Sequence, residues 1–166
     1  MRTDSTKTYS SKQESTIAAY LGWKVVTGSG SRDCHPGDII SDDWMCECKT
    51  HMSPGHKIVL LNSVWNKIAE EASSKFKYPV LFVDDGSQKV ENTWCLFRYI
   101  PVKPSDAIVI SYPYRIDTNL NFDSDKLKKY IKEITNSSDS VILDLNLCGE
   151  VLGLTTLTSF AKMFGD

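Results

Sequence analysis

Apolar residues recur along this chain with two different periods, and the switches between them predict its elements. Glu14, Ile17, Ala18 and Leu21 fall at i, i+3, i+4 and i+7, the spacing of one helix face. A helix over residues 11–21 is therefore expected, with Glu14 on its inward side. Ser11 and Glu14 have capping-box spacing, and Gly22 is a natural stop. "WKVVTG" reads as a strand, and "GSGSRDCHPG" after it as a Gly/Ser-rich loop. "SVWNKIAEEASSKF", about 62–76, returns to helical spacing through Val64, Ile68, Ala72 and Phe76. "PVLFVDD", "TWCLFRYI", "AIVISY" and "SVILDLN" are short apolar runs bounded by turn residues, the signature of strands. "DSDKLKKYIKEI" is a helix with an acidic start and a basic body, as the macrodipole favours, and "LTTLTSFAKMF" is expected to be a terminal helix. Strands and helices interleave, so the class is α/β with a mixed sheet flanked by helices.

The chain has 166 residues, 41% hydrophobic and 24% charged, which fits one globular domain with a sizeable core. No run of 18 apolar residues offers a membrane span, and the first residues lack the apolar stretch of a secretory signal. Five cysteines at irregular spacing do not suggest a disulfide framework, so a reducing cytoplasmic compartment is expected. The net charge of −2 does not advertise a nucleic-acid binder, but the charges are unevenly spread. Arg2, Lys7, Lys12 and Lys24 outnumber Asp4 and Glu14 near the start, and Lys49, Lys57, Lys67, Lys75 and Lys77 outnumber Glu70 and Glu71 in the middle. Basic flanks around an acidic centre would suit a phosphodiester substrate; ordinary solvated lysines account for them equally well.

That acidic centre is "PGDIISDDWMCECK", residues 36–49. Two apolar-rich runs flank the turn pair Asp42-Asp43. Closing the hairpin there sets Ser41 opposite Trp44, Ile40 opposite Met45, Ile39 opposite Cys46 and Asp38 opposite Glu47. Side chains alternate along a strand, so Lys49 shares a face with Glu47, while Cys46 and Cys48 point the other way. Opposed like charges destabilise a sheet, and a divalent cation would offset that cost. Oxygen donors suit Mg²⁺ or Mn²⁺. Glu-x-Lys by itself is common and is usually a solvated surface pair; the opposed Asp38 is what makes it a candidate.

A helix with inward Glu14, a strand, a Gly/Ser loop, and then "PGDI" and "ECK" on a hairpin resembles the PD-(D/E)xK nuclease superfamily, the restriction-endonuclease-like fold. The loop "GSGSRDCHPGDI" looks most like that of phage and archaeal Holliday-junction resolvases. The likeness covers about residues 11–85; Gly37 between Pro36 and Asp38 departs from a strict Pro-Asp pair. The resemblance implies a restriction-endonuclease-like core and a metal-dependent DNA endonuclease. Asp38, Glu47 and the Cys48 backbone carbonyl would hold Mg²⁺, with Mn²⁺ able to substitute. Lys49 would orient or activate water or stabilise charge on the phosphate. Glu14 would be a further metal ligand, or only a capping residue. Ser29, Ser31 and Arg32 would contact a phosphate, or the serines would simply form a turn. Lys57 would touch the DNA backbone or stand solvated, and Trp65 is expected in the core. A resolvase must cut two strands symmetrically, which implies a homodimer.

Three other readings remain. One is a restriction, repair or end-processing endonuclease that cuts linear DNA. Another is a protein that binds DNA without turnover, against which stands the presence of Asp38, Glu47 and Lys49 together. Cys34, His35, Cys46, Cys48, His51 and His56 have zinc-ligand chemistry, but not the usual C-x₂₋₄-C spacing.

Overall fold

The computed structural model describes residues 4–27, 37–98, 106–137, 140–147 and 149–165. Helix α1 (Asp4–Leu21) leads into three strands, β1 (Lys24–Val25), β2 (Ile39–Ile40) and β3 (Trp44–Lys49). After β4 (Ile58–Leu60) come helix α2 (Asn62–Ser74), β5 (Tyr78–Asp84), β6 (Thr93–Arg98) and β7 (Ile108–Ser111). The rest is β8 (Leu120–Phe122), helix α3 (Ser124–Thr135), β9 (Val141–Leu147), β10 (Glu150–Thr156) and helix α4 (Leu157–Phe164).

Eight strands form one mixed sheet in the order β1-β2-β3-β5-β6-β10-β9-β7, and β4 pairs with β8 in a second, two-stranded sheet. Within the large sheet β3 and β5 are parallel, as are β7 and β9, and the other pairs are antiparallel. The α/β class with a mixed sheet flanked by helices is thus what the chain forms. Among the described residues, no helix is long and apolar enough to cross a membrane.

Both faces of the large sheet are covered, which is why its central strands are apolar on both sides. Met45, Leu81, Val83, Trp94 and Leu96 pack on one side with Trp65, Ile68 and Ala72 of α2 and Leu127 and Ile131 of α3. Cys46, Cys48, Val80, Phe82, Cys95 and Phe97 pack on the other with Ile17, Ala18 and Leu21 of α1 and Leu157 and Phe160 of α4. Trp65 is buried as expected, and its indole N–H donates to Glu150 Oε2 at 3.1 Å while Arg98 Nε donates to Glu150 Oε1 at 2.6 Å. One carboxylate therefore ties α2 to β6 and β10.

Four expectations are corrected. Helix α1 starts at Asp4 rather than near Ser11, so Ser11 and Glu14 lie mid-helix and form no capping box. No Gly or Pro interrupts "DSTKTYS", and Tyr9 holds the added turns by donating its hydroxyl to the Gly86 carbonyl while its own carbonyl accepts from Gln88 Nε2 at 2.5 Å. "LTT" belongs to β10, not to the terminal helix; Thr156 caps α4 by accepting the Ser159 N–H. The strands β4 and β8 were not anticipated, and neither was β10 beyond that segment. Phe76 is not on the inward face of α2 but just past its end.

That end is informative. Phe76 has φ +58° and donates its N–H to Ser73 O, while Lys77 N–H reaches Ala72 O. This is the Schellman pattern, in which glycine is the usual left-handed residue. Phe76 is 98% exposed, so its ring contributes no burial to offset that conformation. Phe76→Gly is expected to stabilise the fold by about 0.5–1 kcal/mol, read as a raised urea midpoint with an unchanged slope. A lowered midpoint would contradict it.

Candidate active site

The hairpin closes where the sequence placed the turn. Lys77 Nζ bonds the Ser41 and Asp42 carbonyls, each at 2.7 Å, and Ser41 Oγ accepts the Trp44 N–H at 3.0 Å. Ile40 lies opposite Met45 and Ile39 opposite Cys46. Beyond that pair the register changes. Asp38 N–H donates to Cys46 O at 2.7 Å, and Asp38 Oδ2 accepts the Cys48 N–H at 2.9 Å. Asp38 therefore does not stand opposite Glu47 as a simple ladder partner. Its carboxylate takes the place of a ladder carbonyl and reaches across to the Cys48 peptide. Gly37 makes this approach possible: its φ is +81°, and a Cβ there would lie 2.8 Å from Met45 Cγ.

Glu47 is 8% exposed. Its Oε1 accepts from the half-exposed Lys49 ammonium, so the two share a face as strand alternation requires. Cys46 and Cys48 point into the opposite cluster, as expected. Burial pushes the Cys48 thiol well up, and the charges of Asp38, Cys46, Glu14 and Glu47 push it further. Asp38 from the turn before β2 and Glu47 of β3 thus flank the Cys48 peptide, and Glu14 of α1 lies within electrostatic reach of its thiol. In a strand the N–H and C=O of a residue point to the same edge. The Cys48 carbonyl therefore faces the edge on which its N–H meets Asp38, away from β5.

The donors gathered here are the Asp38 and Glu47 carboxylates and the Cys48 carbonyl. All are hard oxygens. That set fits Mg²⁺ or Mn²⁺. It relies on a carbonyl: among the described residues no three His, Cys, Asp or Glu side chains are placed to hold a metal. Of the zinc alternative's residues, Cys34 and His35 lie outside the described residues, and Cys46 and Cys48 are buried with their side chains in the cluster opposite Glu47. His51 and His56 stack on each other, ring centroids 4.3 Å apart.

Two residues the sequence did not single out anchor the end of β3. Gln13, 2% exposed, donates from Nε2 to the Lys49 carbonyl at 2.8 Å. Glu14 beside it is only half-buried, so Gln13 occupies the inward position. A polar residue four before Ile17 on an apolar face was the available signal. Asp84 is fully buried at the end of β5, where its carboxylate accepts the Gly86 and Gln88 N–H groups at 3.2 and 2.6 Å and a side-chain bond from Thr50. Tyr9 closes this turn from α1 by donating to the Gly86 carbonyl. Gly86 has φ +93°, and a Cβ there would sit 1.9 Å from Ser53 O, so only glycine lets the loop after β3 pack on the turn after β5.

Burial pushes the Asp84 carboxyl above its ordinary range, against the lowering effect of those three bonds. The unfolded chain ionises near about 3.9, so the folded state holds this proton longer. Asp84's contribution to stability is complete below the unfolded value and is lost as pH rises through the native one. The stability advantage of the wild type over Asp84→Asn should shrink as pH rises across the carboxylate range, measured by urea unfolding. An advantage that grows would contradict the assignment.

Ser29, Ser31 and Arg32 lie outside the described residues. Lys57 is exposed just before β4. Against this geometry, no family model, curated protein or solved structure matches the chain.

Proposed function

We propose that the chain is a metal-dependent DNA endonuclease with a restriction-endonuclease-like core, acting on branched DNA in the manner of a Holliday-junction resolvase. The observation that carries this reading is the Asp38 carboxylate held on the Cys48 N–H, beside Glu47 and its ion-paired Lys49 at the end of β3. The order of elements agrees with it: a helix, three antiparallel strands, the short β4 of the second sheet, a helix, and then β5 parallel to β3. Both motifs of the resemblance sit on β3 and the turn before β2.

Asp38, Glu47 and the Cys48 carbonyl would hold Mg²⁺ or Mn²⁺. Such an ion supplies Lewis-acid polarisation of a phosphoryl oxygen and a more acidic bound water. The protein's own part is positional. The Cys48 N–H fixes the Asp38 carboxylate, and Gln13 fixes the peptide from which Lys49 springs. The Lys49 ammonium, already lying on Glu47, is placed to orient the attacking water and to stabilise charge building on the phosphate. Glu14 approaches from α1 as a further carboxylate. Ser29, Ser31, Arg32 and Lys57 are proposed phosphate contacts, and a homodimer would present two such sites to paired strands.

The test is incubation of a labelled four-way junction and the matching linear duplex with Mg²⁺, Mn²⁺ or EDTA. Paired symmetric nicks in the junction, abolished by EDTA, are expected. Equal cutting of the linear duplex would keep the nuclease and remove the junction claim. No cutting of either would overturn the proposal.

A further inference from the structure

A cavity of about 220 Å³ opens beside the candidate active site, lined by Lys49, Thr50 and His51 at the end of β3 and by Val59, Leu61, Val64, Leu81 and Val83. Three features define what it can hold. Its volume is below the roughly 300–1,000 Å³ of sites for drug-sized ligands, so it suits one flat ring system. Five of its lining residues, Val59, Leu61, Val64, Leu81 and Val83, have wholly apolar side chains. The polar ones, Lys49, Thr50 and His51, are consecutive at the end of β3, and the His51 ring is stacked on His56 at 4.3 Å and 15°.

We propose that this cavity receives the base of an unpaired nucleotide next to the phosphate that is cut. The inference rests on the nuclease reading for its substrate class and adds what that substrate must present. Lys49 belongs both to the carboxylate cluster and to the cavity wall. A phosphate held at Lys49 therefore has its own nucleoside within reach of the cavity, one sugar away. A base inside duplex DNA cannot enter; an unstacked one can, gaining apolar contact and a ring face from His51. With side-chain donors and acceptors confined to Lys49, Thr50 and His51, the apolar part of the cavity does not discriminate between bases. Selection would fall on unpaired structure rather than on sequence, as a branch-directed enzyme requires.

The experiment measures binding separately from cutting. Affinity is measured in EDTA for a duplex with a short unpaired bulge, whose bulged nucleotides either carry bases or are abasic. Cutting of the same substrates is followed in Mg²⁺. Removing the bases should weaken binding roughly 5- to 150-fold, the range of base-stacking contributions. Val64→Phe, which fills the cavity from a half-exposed helix position, should weaken binding of the intact bulge and erase the difference between the two substrates. Val59→Phe provides the same test from β4 if the first variant folds poorly. Equal affinity for intact and abasic bulges, with Mg²⁺-dependent cutting preserved, would overturn the cavity assignment and leave the nuclease. Base-dependent binding that Val64→Phe erases, without any cutting, would uphold the cavity and remove the nuclease. No binding of either substrate would overturn both.

Discussion

Glu47→Gln is expected to lower the single-turnover rate of DNA cutting by at least about 100-fold, with DNA affinity nearly unchanged. The substitution keeps the shape of the side chain and removes its charge. The loss should therefore appear in the chemical step and not in the fold. Lys49→Ala should cost a similar factor, for a different reason: it deletes the cation facing water and phosphate. It also leaves Glu47, 8% exposed, without its partner, and unpaired buried charge is costly. Lys49→Met, which keeps most of the stem, separates that stability effect from the catalytic one. Cys48→Ala changes a thiol that points into the opposite cluster and should leave cutting within a few fold. If Glu47→Gln and Lys49→Met both cut at the wild-type rate, the hairpin charges are structural.

Phe160→Ala should be the most damaging single truncation on the helix-α4 side of the sheet. The Phe160 ring lies 5.9 Å from Trp23, 5.1 Å from Trp44, 5.7 Å from Phe82, 5.7 Å from Phe97 and 5.0 Å from Phe164. It thus joins α4 to the segment after α1 and to three central strands. Removing a fully buried phenyl ring costs about 3–5 kcal/mol, a large part of a domain's whole stability of about 5–15 kcal/mol. Because Trp44 opens β3, the loss should also loosen the strand that carries Glu47 and Lys49. Urea unfolding gives the stability change. A loss below about 1 kcal/mol would mean that the C-terminal helix is not part of this core.

The expected hairpin was legible because strand alternation and an Asp-Asp turn leave few registers for "DIISDDWMCECK". What the pattern did not show was where the ladder gives out. Asp38 left its place opposite Glu47 because a backbone N–H at Cys48 needed an acceptor once β2 ended. Gln13 was missed because the spacing through Ile17, Ala18 and Leu21 also admits Glu14, one residue along, and the Lys49 carbonyl that holds the buried amide lies on a distant strand. The early turns of α1 were missed because Ser- and Thr-rich sequence has low helix propensity, and its support from Gly86 and Gln88 is remote in sequence. Strands β4 and β8 have three residues each, too few for a period. "LTT" carried a helical spacing, but pairing with β6 decided its state. The reach of the Asp38 carboxylate to the Cys48 N–H and the approach of Glu14 from α1 needed three dimensions, since α1 and β3 are separated by two other strands.

The most direct measurement of the central claim is the cutting of a labelled four-way junction in Mg²⁺ by wild type and by Asp38→Asn, followed under single-turnover conditions, with EDTA added to a parallel sample. The account predicts cutting by the wild type alone and none once the metal is chelated. Equal cutting by Asp38→Asn, or cutting that persists in EDTA, would contradict it.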